Sequence, residues 1–398
     1  MIRILILDNE FPPLGGGTGV INYNVMVELD RYENIQVDLV TSSRTNDQYE
    51  VEQFGARSRI FKVPVDNKNI HHSSIVELLR YTFRGLNKAL HLIHQQPYDL
   101  CWAYATVPAG LIALSLKYWK GLPYILITQG PDIPWYERRY FPLYPILLPI
   151  IKFIWNHAAM VTAQSIVSKK LIARTSPRLE VRIIHNGVEI ERFAPTPMDL
   201  SKRGRQQPMT FVCCGRFIER KGQHHLLKAA DLLNKRGYAR RFRIMLVGTG
   251  DGEKQLRDQT KQLALQDAVT FAGLVSHDIM PQIYTEADVF VLPSYNEGMS
   301  VALLEALASG LPAIVTETGG TAELINGNGF IVPWADPISL ADVMEKFLRE
   351  PALCRRMGKR SQEISRGFSW KATAQAYLDL NSACLSDSSG ALDSHPCE

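Results

Sequence analysis

The sequence predicts an α/β protein made of two doubly wound parallel-sheet domains. Three observations carry that prediction. The chain has 398 residues, long for one hydrophobic core and natural for two of about 200 each. Apolar, β-rich runs alternate with helical patterns along it. One stretch, APTPMDLSKRGRQQPM (194–209), breaks the alternation; it is polar, basic and proline-bearing and has no apolar period.

The first five runs are IRILILD, IQVDLVT, YDLCWAY, YILITQG and AMVTAQS, and a shorter strand ends at IIHNGVE (183–189). The second set is TFVCCGR, FRIMLVG, AVTFAG, DVFVLPS and LPAIVT. Their hydrophobicity is continuous rather than alternating, so both faces of each strand are covered, which is the condition of parallel sheets wound with helices. The first domain is therefore placed at 1–193, the linker at 194–209 and the second domain at 210–367. FSWKATAQAYLDLNSACL (368–385) reads as an amphipathic helix with no strand after it, expected to cross back onto the first domain. Residues 386–398 are expected to be a disordered tail. No 20–50-residue period repeats, which excludes a solenoid.

A formal charge of +4 is too small for a dedicated nucleic-acid binder and leaves a mild bias toward anionic ligands or membranes. The six cysteines have no metal spacing, and Cys213 and Cys214 fall in an apparent buried strand, so they read as reduced thiols of a cytoplasmic protein. MIRILILDNEFPP lacks a small-residue cleavage site and reads as a strand entering a loop, not a signal peptide. The most apolar segment, FPLYPILLPIIKFIW (141–155), is too short to span a bilayer and holds three prolines. It follows WYERRY, and the combination has the composition of a helix lying on a lipid surface, so peripheral contact with the inner face of a membrane is assigned to residues 134–155. The alternative is a buried helix with a flanking loop.

Ligands of doubly wound sheets bind at the carboxyl ends of the strands. After IRILILD, the glycines Gly15, Gly16 and Gly17 let backbone approach a ligand, and Thr18 or Gly19 starts a helix; neither the dinucleotide spacing nor a Walker lysine is present. After TFVCC, Gly215 opens a loop with Arg216 and Lys221, two cations able to clasp a diphosphate. FRIMLVG is followed by Gly248, Gly250 and Gly252, with Glu253 where a third fingerprint glycine would stand. LPAIVT is followed by Gly319 and Gly320 ahead of a short helix near Thr321. In IIHNGVE, Asn186 and Gly187 make a turn, and His185 reads as structural.

SYNEGMSVALLEALASG (294–310) holds Glu297 and Glu305 among small and apolar residues. If the helix starts near Met299, eight positions make about two turns and put the carboxylates on one side, about 12 Å apart. A carboxylate among Val301, Leu303, Leu304 and Leu307 is costly unless its oxygens are satisfied, and ligand hydroxyls would do so. On spacing alone, Glu297 reads equally as a helix-start acid and Glu305 as an exposed flank. The second-half set, two cations, two glycine-rich loops and the paired acids, suits a diphosphate with a ribose on one side and a polar group on the other. A nucleotide-sugar has that shape.

With these residues in place, the chain resembles the retaining glycosyltransferases of family 4, whose GT-B fold has two Rossmann-like domains facing a central cleft. The resemblance covers nearly the whole chain and rests on the E-x7-E element Glu297–Glu305, then GRFIERKG, HNGVE and the first strand with its glycine-rich loop. It implies Glu305 on the ribose, Glu297 on the donor sugar, and Arg216 with Lys221 on the diphosphate. Gly215, Gly248, Gly250, Gly298, Met299, Ser300 and the amides of Val301 and Ala302 would complete the donor site. Gly15, Gly16, Gly17, Thr18 and Asn186 would line the acceptor cleft. The implied reaction moves a hexose from a nucleotide-diphosphate sugar to an acceptor hydroxyl on a glycan, a lipid-linked or a small-molecule acceptor, with retained configuration, no cofactor and no metal. Gln129, in ILITQGPD, stands where many relatives carry histidine; it donates a hydrogen bond but takes no proton. A nucleotide-sugar epimerase, needing acid and base residues at the sugar carbon, and a non-enzymatic nucleotide-sugar binder are the other readings.

Overall fold

The computed structural model describes residues 1–14, 16–45, 48–67, 69, 73–196 and 208–390, with the side chains of 138–140 and 387–390 left aside. Gly15, most of the expected linker and the end of the expected tail lie outside the described residues. The chain divides into two units, Met1–His185 joined by the chain from Trp370 on, and Asn186–Ser369.

The first unit runs β1 (Ile2–Leu7), α1 (Gly17–Leu29), β2 (Ile35–Ser43), β3 (Glu50–Phe54), β4 (Ser58–Pro64), α2 (Ile75–Gln95), β5 (Leu100–Tyr104), α3 (Ala109–Lys120), β6 (Tyr124–Ile127), α4 (Tyr144–His157), β7 (Met160–Ala163), α5 (Ile166–Thr175) and β8 (Val181–Ile183). The sheet order is β3-β4-β2-β1-β5-β6-β7-β8. All pairings are parallel except β3 with β4, an antiparallel edge. The sequence expectation was a wholly parallel sheet without these two strands. EVEQF has no continuous apolar run because an edge strand keeps one side in water. Asp30 closes its turn by accepting from the amides of Ala56 and Arg57. α2 opens on a capping box, Ser74 accepting from the Glu77 amide and Glu77 from that of Ser74.

The second unit runs α6 (Ile190–Phe193), β9 (Met209–Cys214), α7 (Gln223–Leu233), β10 (Phe242–Val247), α8 (Glu253–Gln262), β11 (Val269–Gly273), α9 (Met280–Thr285), β12 (Val289–Leu292), α10 (Val301–Ala308), β13 (Ala313–Thr316), β14 (Gly329–Val332), α11 (Pro337–Arg349) and α12 (Ala352–Ser365). Its six strands are all parallel in the order β11-β10-β9-β12-β13-β14. The short edge strand β14 had no counterpart in the sequence reading.

The first unit ends at His185, earlier than the expected residue 193, because the next residues are tied into the second. The Asn186 amide donates to the Met299 carbonyl at 2.8 Å, Val188 pairs with Ser369, and Phe193 packs 5.9 Å from Tyr284. The last helix, α13 (Trp370–Gly390), belongs to the first unit. It starts two residues later than expected, since Ser369 is held by Val188, and it extends beyond 385, so residues 386–390 are helical and not part of a disordered tail. Trp102 Nε1 donates to Asn381 Oδ1 at 2.8 Å, Tyr377 packs on the Trp102 ring, and Thr373 donates to the His185 carbonyl. The five described cysteines are buried.

The 141–155 segment forms α4 after a 3-10 turn (Arg138–Leu143). Ile151, Ile154 and Trp155 are buried, whereas Leu143, Ile146, Ile150 and Phe153 are exposed, so it is not the wholly buried helix of the alternative reading. No helix among the described residues is long and apolar enough to cross a membrane.

Asn381→Leu leaves the buried Trp102 N–H without an acceptor. Urea unfolding is expected to show a loss of about 1–3 kcal/mol, with the second unit's transition unmoved.

Candidate active site

The second unit gathers its polar residues at the carboxyl ends of β9, β10, β12 and β13. From β9 the chain passes Gly215 and Arg216 into a 3-10 turn, Glu219–Lys221, before α7. The Lys221 side chain folds back over Gly215, and its Nζ lies 2.7 Å from Glu297 Oε1. Both partners are largely buried, at 14% and 9% side-chain exposure, so this pair is shielded from solvent screening. Burial alone would raise the Glu297 carboxyl, but Lys221 and then Arg220 outweigh it and hold the group below its usual range. Arg220 also stitches the two loops, donating to the Asn296 carbonyl and accepting from the Tyr295 amide. Arg216 is half-buried on the same loop, its carbonyl accepting from Gln223.

Two glycines set the walls. Gly319 has φ +48°, and a Cβ there would sit 1.5 Å from the Glu297 carbonyl oxygen; the next amide, of Gly320, donates to the Gly298 carbonyl. At Gly248 (φ +133°) a Cβ would meet the Gly215 carbonyl at 2.2 Å, so the loops after β9 and β10 touch backbone to backbone. Gly250 continues the second of these loops, and Phe217 donates its amide to the Thr249 carbonyl. The expected helix near Thr321 is a 3-10 turn over Gly319–Leu324.

α10 starts at Val301, not near Met299. Ser300 is its N-cap, extended in backbone and accepting from the Leu303 amide, and Met299 is fixed from behind by Asn186. Glu297 therefore lies in the loop before the helix, and the expected two-turn spacing between the acids does not apply. The amides of Val301 and Ala302 open the helix, where no preceding turn supplies acceptors. Asn186, expected in the acceptor cleft, is instead 3% exposed within the second unit, with its amide committed to Met299.

Glu305 is buried, which removes the exposed-flank reading. Its oxygens have protein partners: His277 Nε2 lies 3.0 Å from Oε1, and the Tyr284 hydroxyl donates to Oε2 at 3.0 Å. His277 in turn sits 3.8 Å from Glu189 and packs on Phe193. The sequence reading missed both partners. His277 had a positional signal, lying just after the strand AVTFAG; Tyr284 had none, because it reads as an ordinary apolar residue of α9. A carboxylate has about four lone-pair directions, so Glu305 retains capacity for a ligand hydroxyl.

In the first unit, α1 begins at Gly17, and Gly16 and Thr18 flank that start. Beneath it Asp8 is buried, its carboxyl pushed well above the ordinary range by burial against the opposing pull of the Glu10 amide and Asn22. Gln129, at the end of β6, is 8% exposed. Its amide N–H donates to Asp132, its side-chain oxygen accepts from Gln164, and its Nε2 has no protein partner.

Two parallel-sheet units with an anion-suited, carboxylate-bearing strand-end site define a GT-B glycosyltransferase, an enzyme that uses a nucleotide-sugar. Residues 200–364 match the family model "Glycosyl transferases group 1" and residues 15–192 match "Glycosyltransferase Family 4". The chain belongs to glycosyltransferase family 4. It is 27% identical over 407 residues to the GDP-mannose-dependent alpha-(1-6)-phosphatidylinositol monomannoside mannosyltransferase of Mycobacterium tuberculosis, covering 96% of this chain and 98% of the relative. It is 26% identical to the mannosylfructose-phosphate synthase of Agrobacterium fabrum, covering 93% and 87%. In structure it resembles sucrose-phosphate synthase from Thermosynechococcus elongatus, with a TM-score of 0.84 at 21% identity over 96% of this chain and 100% of the other. Anabaena HepE in complex with UDP and glucose has a TM-score of 0.74 at 22% identity, over 96% and 100%.

Lys221→Met removes the cation in direct contact with the buried Glu297 carboxylate. At neutral pH the variant is expected to lose about 3 kcal/mol of second-unit stability. Glu297 has a depressed pKa in the fold, so its contribution is present above the unfolded value near 4.5 and fades as the pH falls below it. The difference between variant and wild type should therefore shrink on acidification, as urea titrations at pH 7 and pH 4 would show.

Proposed function

We propose that this glycosyltransferase transfers a hexose with retained configuration from a nucleoside-diphosphate sugar to an acceptor hydroxyl, with the donor on the second unit and the acceptor on the first. The observation that carries the reading is the Lys221–Glu297 pair beside the start of α10, on loops whose glycines let the backbones pack directly against one another. Breaking the sugar–phosphate bond leaves positive charge on the anomeric carbon and negative charge on the departing diphosphate. Lys221, Arg216 and the first amides of α10 strengthen their hold as that negative charge grows, which lowers the barrier. Glu297, kept ionised by Lys221, accepts from sugar hydroxyls close to the cationic carbon. Glu305, oriented by His277 and Tyr284, accepts from the ribose. These charges suffice without a metal or cofactor. The acceptor oxygen attacks from the face the phosphate leaves, and its proton passes to a phosphate oxygen. Gln129 supplies a donor hydrogen bond and no base.

Residues 134–155 are proposed to touch a membrane surface from its cytoplasmic side, supported by the apolar stripe α4 leaves exposed. A lipid-linked acceptor would suit such a contact, and the relative named for phosphatidylinositol monomannoside supports that reading.

The donor is identified by thermal stabilisation against UDP-, GDP-, ADP- and dTDP-sugars, since a ligand that binds only the folded state raises the melting temperature. One nucleotide is expected to give a shift that Glu305→Ala removes; equal shifts in wild type and Glu305→Ala would overturn the assignment of Glu305. Gln129→Ala removes one neutral hydrogen bond and is expected to slow transfer about tenfold. Complete loss of transfer with donor binding intact would give Gln129 a larger role than positioning.

A further inference from the structure

We propose that helices α2, α3, α4 and α5 together form a docking face for an anionic lipid bilayer. The inference rests on the membrane contact proposed for residues 134–155 and widens it to helices the sequence did not single out.

Chain topology puts these helices together. Each of α2, α3, α4 and α5 leads from one strand to another lying nearer the β8 edge, and right-handed connections running in one direction share one face of the sheet. α2 packs on α3 and α3 on α4. The α1 connection runs the opposite way, and α13 packs against α1 on the other face.

The shared face is apolar where it should be wet. Ile75, Leu79 and Phe83 follow one line along α2, four residues apart, and Ile75 and Phe83 are 75% and 71% exposed. Leu143, Ile146, Ile150 and Phe153 make a second line on and just before α4, with Ile146 at 72%. Tyr118 and Trp119 end α3 in the open, Tyr118 stacked on Phe153, and Ile166 starts α5. Aromatic residues beside aliphatic ones are the composition of a surface that rests at the headgroup level.

Charge selects the occupant. α2 carries three Lys or Arg residues, α3 two, α4 one and α5 three. Among the four helices the one acid is Glu77, buried and spent on capping its own helix. Asp66, just ahead of α2, is paired with Arg80. On the opposite face the balance is reversed, since among the described side chains α1 and α13 hold Glu28 and Asp379 against Lys371. A second copy docked symmetrically through this face would set cations against cations. An anionic bilayer accepts both the apolar stripes and the cations that flank them, each cation near the surface adding to binding.

The test is flotation of the full chain with phosphatidylcholine vesicles, with and without phosphatidylglycerol. The protein is expected to float with the anionic vesicles and to be released by salt at about 0.5 M, where surface attraction is screened. Leu79→Ser with Phe83→Ser on α2, and Lys169→Glu with Lys170→Glu on α5, should each weaken flotation about tenfold. No flotation, equal flotation on neutral vesicles, or flotation unchanged in both double variants would overturn the proposal. So would a concentration-dependent dimer that these variants dissociate, since the face would then join two copies. The nucleotide-dependent thermal shift, read on the same proteins, separates the two proposals. Its retention in non-floating variants confirms that docking alone was lost, and its absence from a floating wild type counts against the donor reading only.

Discussion

A carboxylate removed from water must find partners, and the second unit is arranged around two that do. Glu297 and Glu305 are both buried near one helix, yet they are satisfied in different ways. Glu297 faces a cation, Lys221, so its charge is retained in a place where burial would otherwise neutralise it. Glu305 accepts hydrogen bonds from a tyrosine and faces a histidine, which fixes its orientation. The first arrangement keeps a carboxylate ionised; the second presents a positioned acceptor.

The scaffold serves that arrangement through backbone geometry. Four parallel strands end at one side of the sheet and deliver their loops there, and glycines let those loops touch without side chains between them. A methyl group at Gly319 would collide with the carbonyl of the residue that carries the Glu297 carboxylate, so this one position controls where the acid sits. Ser300 stops α10 from extending backward and so keeps Glu297 on a loop, free to turn toward Lys221. Asn186, brought from the beginning of the unit, locks the same loop from beneath.

The first unit shows how one sheet supports two unlike surfaces. Its α1 face is closed by α13, which fills the site with Trp370 and Tyr377 and satisfies the buried Trp102 indole. Among the described residues, the opposite face keeps large apolar side chains in water among lysines and arginines. At the end of β6, Gln164 holds the Gln129 carboxamide oxygen and leaves its N–H group buried without a protein acceptor. A group that cannot titrate keeps its hydrogen bond at every pH, which suits positioning better than proton transfer.

Continuous apolar runs were enough to determine two wound α/β units, because a strand covered on both faces has no other composition available. The end of each run is visible in the sequence, which was enough to put Arg216, Lys221 and Glu297 on the loops that follow strands, whereas Glu305 lies within α10. The β3–β4 edge, the place where the first unit ends and the length of α13 were decided by tertiary contacts: Asp30 on a turn distant in sequence, Asn186 on Met299, Asn381 under Trp102. The same holds for what satisfies each acid. Lys221 lies 76 residues from Glu297, and Tyr284 is 21 residues from Glu305, separations over which sequence periodicity carries no information. Sequence patterns record which side chains avoid water, a local property; which buried polar group meets which partner depends on the path of the whole chain.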